Sequence, residues 1–181
     1  MKKILFLFFF SQVLVGVGHS QLMVSKMIGK NSNNLQLGYG LFTYFDFPLG
    51  NAENQSFRVE LMDLAYYPQK NSELLNTIGY LSTKLGYKYV FSEDQSGFYI
   101  EPAAGYCRVV SSNPNNELGK DYGDGVAVAL ETGYSIPVGQ AGNTINLGLK
   151  YEDDLAGSNY TASSIGFRVS FSFHIFGRKN D

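Results

Sequence analysis

The stretch SIGFRVSFSFHIF, residues 164–176, alternates without a break. Ile165, Phe167, Val169, Phe171, Phe173 and Ile175 fall on one face of any strand built from it, and Gly166, Arg168, Ser170, Ser172 and His174 on the other. Bulky apolar side chains on one face, with small, polar and charged ones opposite, demand two unlike surroundings for a single strand. The same period of two recurs over 35–47, 56–69, 77–91, 97–112, 125–138 and 144–155, and more weakly over 22–29. Turn-type clusters separate these segments: NSNN at 31–34, PLGNAENQ at 48–55, SEDQ at 92–95, NPNNELGKDYGD at 113–124, GQAGN at 139–143 and AGSNY at 156–160. Parallel neighbours would need long crossovers that these gaps cannot contain. The segments therefore predict an eight-stranded antiparallel up-and-down meander. Eight is also a strand number that closes into a barrel filled by its own side chains.

What occupies the less apolar face decides where such a barrel sits. A soluble lipocalin-like binder would turn Lys, Glu, Thr and Gln outward and line an internal cavity with large apolar groups. Here Val126, Val128, Leu130, Tyr134 and Ile136 are opposed by Ala127, Ala129, Glu131, Gly133 and Ser135, and Ile145, Leu147, Leu149 and Tyr151 by Thr144, Asn146, Gly148 and Lys150. In 35–47, Leu35, Leu37, Tyr39, Leu41, Phe45 and Phe47 oppose Gln36, Gly38, Gly40 and Asp46. Gly and Ala shield nothing from water but suit a narrow closed interior. The expectation is a transmembrane barrel, with lipid outside and a packed polar lumen inside. Lys84, Lys88, Glu101, Glu131, Lys150 and Arg168 would pair across that lumen as a structural charge network, because an unpaired buried charge is costly. One strand resists. In 56–69 the face with Phe57, Val59, Leu61 and Tyr67 also carries Asp63, so either a bulge or a different boundary is required.

The stronger segments run 12 to 16 residues, beyond the ~9–11 a tilted strand needs to cross a bilayer. Their ends would lie at the interfaces, where the pairs Tyr66/Tyr67 and Tyr87/Tyr89 would form aromatic girdles. An even strand number puts both termini on the periplasmic side. Turns 48–55, 92–95 and 139–143 would then be periplasmic, and 31–34, 70–76, 113–124 and 156–160 extracellular. The connection 48–55 is long for a periplasmic turn.

The first twenty residues read as an export signal. Lys2 and Lys3 precede an apolar run over 4–17, and Gly18 and Ser20 supply small residues at −3 and −1 of a cut before Gln21. Residues 21–181 then make one domain by size. A formal net charge of −2 leaves no basic footprint for nucleic acid. Cys107 is the single cysteine, which excludes an intrachain disulfide and suits a small apolar filler.

On the strands LQLGYGLFTYFDF and GFYIEPAAGY, the signal and the closing strand, the chain resembles the small outer-membrane β-barrels of Gram-negative bacteria, of the OmpA transmembrane-domain and OmpX type. It departs from them in continuing as GRKND after Phe176. The resemblance implies a cell outer membrane location and contact with its lipid. Function does not follow from such a fold, which serves adhesins, anchors, small pores and lipid-modifying enzymes alike.

Catalytic residues are not expected. The one histidine after the signal, His174, falls at the periplasmic end and points inward, the wrong place for a base acting on outer-leaflet lipid. Glu152, Asp153 and Asp154 near a strand end, and Asp121 and Asp124 in the longest loop, lack calcium-loop spacing and read as solvated charge. No cofactor and no metal is expected. The leading expectation is a monomeric, non-enzymatic structural or surface-interaction protein that meets an extracellular partner through loop 113–124. A soluble binder, a small pore and a lipid-modifying enzyme rank behind it.

Overall fold

The computed structural model describes residues 21–29, 32, 35–49, 52–70, 77–92, 96–112, 121–138, 143–156 and 160–172. The predicted signal 1–20, most of loop 113–124, and His174 with the rest of 173–181 lie outside them. Eight strands follow in chain order: β1 (Gln21–Ile28), β2 (Gly38–Leu49), β3 (Ala52–Pro68), β4 (Thr77–Val90), β5 (Gly97–Ser112), β6 (Asp121–Val138), β7 (Asn143–Ala156) and β8 (Tyr160–Ser172). Each pairs antiparallel with the next, and β1 with β8 closes the barrel. Closure leaves no edge strand whose backbone groups face lipid unpaired.

Alternation sorts the side chains as the sequence predicts. Leu22, Leu41, Leu61, Leu85, Ile100, Val128, Leu149 and Phe167, one from each strand, are all exposed on the outside. Their neighbours in the chain are buried, except Met62 at the β3 irregularity. Phe167 is 50% exposed beside Arg168 at 2%, and Val128 48% exposed near Glu131 at 5%. An apolar belt around the described wall, interrupted by Thr83 and Thr132, suits hydrocarbon and opposes the soluble lipocalin-like reading, which needs the opposite sorting. Ring pairs sit on the outer face near both ends of the wall. Tyr39–Tyr66 lies toward the end bearing the β3–β4 connection, and Tyr89–Phe91 and Phe98–Tyr134 toward the opposite end.

Besides a slip between Pro48 and Leu49 at the end of β2, two irregularities reset the register. In β3 the pairing steps from Glu60↔Lys84 to Asp63↔Ser82, one extra residue on β3, and β2 records the same slip between Thr43 and Tyr44. Before this bulge Arg58 and Glu60 point inward; after it Asp63, Ala65 and Tyr67 do. The acid that did not fit the lipid face therefore lies in the lumen. Tyr67, expected in the outer girdle, is buried at 2% for the same reason. Thr83 Oγ1 on the neighbouring strand donates to the Leu61 carbonyl at the bulge (3.0 Å). The second slip falls between Val109 and Val110, opposite Gly123, whose φ of 101° only glycine adopts without strain.

Several boundaries also move. β2 runs to Leu49 and β3 begins at Ala52, so the connection expected over 48–55 shrinks to 50–51. β6 begins at Asp121 rather than at 125, which takes four residues from loop 113–124. Leu35, expected outside, is buried at 3% and bridges to Gln69 ahead of β2.

Candidate functional site

The lumen concentrates the polar chemistry. All six residues expected there, Lys84, Lys88, Glu101, Glu131, Lys150 and Arg168, are buried, the least so being Lys88 at 7%. They do not pair among themselves alone. Arg58, Glu60, Asp63 and Glu152 join them, with Asp46 at the margin.

Near mid-depth Arg168 donates to Glu131 Oε2 (2.8 Å) and Glu60 Oε2 (3.0 Å), and its guanidinium carbon lies 3.3 Å over the Phe42 ring. Lys84 contacts Glu60, Asp63 and Glu152 at 2.9–3.0 Å. Lys150, in the next rank, pairs with Asp63 and Glu152. Toward the end bearing the termini, Arg58 donates to both Asp46 oxygens (2.7 Å) and to Glu101 Oε2 (2.6 Å), and lies 3.5 Å over the Tyr44 ring. Lys88 donates to Asn146 Oδ1 (3.0 Å) and caps the Tyr99 ring at 4.4 Å. Cations over ring faces gain from the quadrupole, more so when desolvated. Toward the other end the lumen turns apolar: Met23, Met27, Tyr67, Ile78, Tyr80, Cys107, Val109, Ala127 and Ala162 pack there.

Sequence reasoning missed two things. Glu152 and Asp154, expected as solvated charge near a strand end, are 6% and 5% exposed inside the barrel, because β7 keeps its even-numbered residues inward as far as its end. Asp153 does face outward and accepts from Tyr151 Oη (2.8 Å), and Asp124 sits exposed on β6, 3.7 Å from Arg108. Aromatic rings also share the lumen with the small residues. Phe42, Tyr44, Tyr67, Tyr80 and Tyr99 are all buried there, and the even spacing of 42 and 44 with Gly38, Gly40 and Asp46 was the available signal for the first two.

The glycines make room for those rings. Gly133 and Gly148 are register partners, and a Cβ on either would meet the Tyr99 hydroxyl, at 2.6 and 2.7 Å. Tyr99 thus occupies a recess floored by two glycines and donates to Glu131 Oε1 (2.6 Å). Gly148→Val is expected to destabilise the barrel by about 1–3 kcal/mol through overpacking. Urea titration of the purified protein in detergent checks this, and unchanged stability would mean that the recess is not needed.

A cavity of about 20 Å³ lies between the mid-depth acids and the apolar end, lined by Asp63, Tyr67, Tyr80, Lys150, Glu152 and Asp154 among others. That is room for one water. Asp63 Oδ1 and Asp154 Oδ1 are buried without a protein partner, and a water would serve them. Among the described residues no group of three or more His, Cys, Asp and Glu side chains is arranged to hold a metal ion.

Comparison with solved structures places this architecture. Neisserial surface protein A superposes with a TM-score of 0.62 at 14% identity, over 86% of this chain and 95% of that one. The N-terminal β-barrel domain of Pseudomonas aeruginosa OprF gives 0.52 at 12% identity, over 86% and 96%. Ail, the attachment invasion locus protein of Yersinia pestis, solved with the heparin analogue sucrose octasulfate, gives 0.50 at 11%, over 86% and 93%. The chain has the fold of the small outer-membrane barrels. No family model and no curated protein matches its sequence. At such identities the likeness carries the architecture alone.

Proposed function

We propose that this outer-membrane barrel is a non-enzymatic structural or surface-interaction protein, exported by its N-terminal signal and acting as a monomer. Its working surface is the end bearing the β1–β2, β3–β4, β5–β6 and β7–β8 connections, which faces outward from the cell. The observation that carries this reading is the filling of the lumen. Every charged side chain of the mid-depth ion network is at most 8% exposed, and an apolar layer backs it toward the outward end. A barrel stoppered twice transports nothing in its resting state. Activity is then left to the loops, chiefly the one expected over 113–124, whose last four residues form the start of β6.

Planar-bilayer recording tests the stopper. The purified protein is expected to give no steady conductance, and an ohmic open level from the wild-type chain would overturn the reading. Glu131→Ala takes one carboxylate from Arg168 and the acceptor from Tyr99, and is expected to admit intermittent ion passage. Replacing 113–120 with a two-residue Asn-Gly turn should leave the heat-modifiable gel shift intact while removing contact with whatever meets the cell surface. The lipid A profile of cells lacking the gene decides against an enzyme: it is expected to match that of the parent, and a changed acyl pattern would make the barrel a lipid-modifying one.

A further inference from the structure

We infer that Gln21 is a modification site: once the signal is removed, this glutamine becomes the N-terminus and closes into a neutral pyroglutamyl ring. The cut before Gln21 rests on Gly18 and Ser20 at −3 and −1. Residue 21 is also where β1 begins.

Three features of the barrel bear on what that terminus can be. First, β1 is the shortest strand, with 8 residues, and Gln21 pairs with Phe42 while β2 runs on past it to Leu49. On the other side Leu22 pairs with Val169, and β8 continues to Ser172. The main-chain nitrogen of residue 21 therefore sits within the wall of a membrane barrel, short of the ends of both neighbouring strands. A protonated amine there is a charge at membrane depth, which is disfavoured. Second, a lumen cation adds to this, since Met23, two residues on, is the register partner of Arg168. Third, in the unprocessed chain the Gln21 side chain is 1% exposed, and neither Oε1 nor Nε2 has a hydrogen-bond partner. A buried primary amide with nothing to bond is a poor choice of residue unless its amide is not retained.

Ring closure removes the charge and the unpaired amide nitrogen, leaving one carbonyl oxygen. The free α-amine nitrogen attacks the side-chain Cδ; the N–Cδ bond forms, the Cδ–Nε2 bond breaks, and Nε2 leaves as ammonia with the proton that the amine gives up. No oxidant or second substrate is needed. The product carries no charge, has lost the two donors of the amide nitrogen, and keeps one lactam N–H on the main chain. The reaction belongs to the exported chain before β1 docks, because in the barrel the side chain is packed into the lumen.

The test is the mass of the processed terminus. Cells making the full chain are fractionated, the barrel is extracted from outer membranes, and both its intact mass and the Lys-specific peptide 21–26 (QLMVSK) are measured. The expected peptide is lighter by one ammonia than free QLMVSK, and it resists aminopeptidase until pyroglutamyl peptidase has removed the ring. A synthetic QLMVSK carried through the same workup must remain uncyclised, so that closure is assigned to the cell. A free glutamine at 21 overturns the modification alone. A terminus at any other residue overturns it together with the cleavage site, and the two failures differ in the mass read. Neither result depends on what the loops do.

Discussion

Arg168→Met is expected to destabilise the folded barrel by about 3–5 kcal/mol, the cost of breaking a buried ion pair by removing one partner. The guanidinium holds Glu60 and Glu131 at 3.0 and 2.8 Å and stacks on Phe42. Methionine can follow the stem's packing but leaves both carboxylates short of a cation. Glu60 would retain Lys84 (3.0 Å) and Glu131 would retain Tyr99 (2.6 Å). Those remaining partners should let the variant fold under mild conditions and reveal its loss in urea. The measurement is the urea midpoint in detergent micelles, read by the heat-modifiable gel shift. Adding Glu131→Gln should restore part of the loss, since it neutralises one stranded carboxylate, and that non-additivity distinguishes network repair from general damage. Unchanged stability in Arg168→Met would show that the lumen ions are ornament.

One residue earlier the environment reverses. Phe167→Arg places a charge on the lipid face near the middle of β8, where Phe167 is 50% exposed between Val24 and Leu149. The expected cost is about 2–4 kcal/mol for a cation near the bilayer midplane. Refolding into lipid vesicles, with the folded fraction read on gels over a urea series, checks it. In a water-facing wall the same change would be neutral or would improve solubility, so a variant that folds as well as the parent would return the chain to the soluble class. That neighbouring positions should fail for opposite reasons is the sharpest consequence of the alternation.

The parts of the fold that rest on period two were open to reading. Ile165, Phe167 and Val169 against Gly166, Arg168 and Ser170 fix both faces of β8 without any knowledge of the partner strands. The six ions expected inside are inside for that reason. What escaped the reading is whatever shifts the phase or links distant strands. Asp63 and Tyr67 carry odd numbers, Arg58 and Glu60 even ones, and all four share the lumen only because β3 takes an extra residue against β2 and β4. Glu152 and Asp154 lay inside the expected segment 144–155, on the face of Asn146 and Lys150, but beside a turn cluster they were read as solvated. Phe42 and Tyr44 were on the right face but were passed over among smaller residues, and the room for lumenal rings comes from glycines on other strands.

The sequence by itself determined an antiparallel meander of eight strands, greasy outward and polar inward, because side-chain direction in a strand is a local property of the backbone. Tertiary structure alone decided which acid meets which base. Asp63 and Lys150 are 87 residues apart, and Glu60 and Arg168 are 108 apart. Their meeting depends on the stagger of every intervening strand and on one bulge in β3, neither of which any local pattern encodes.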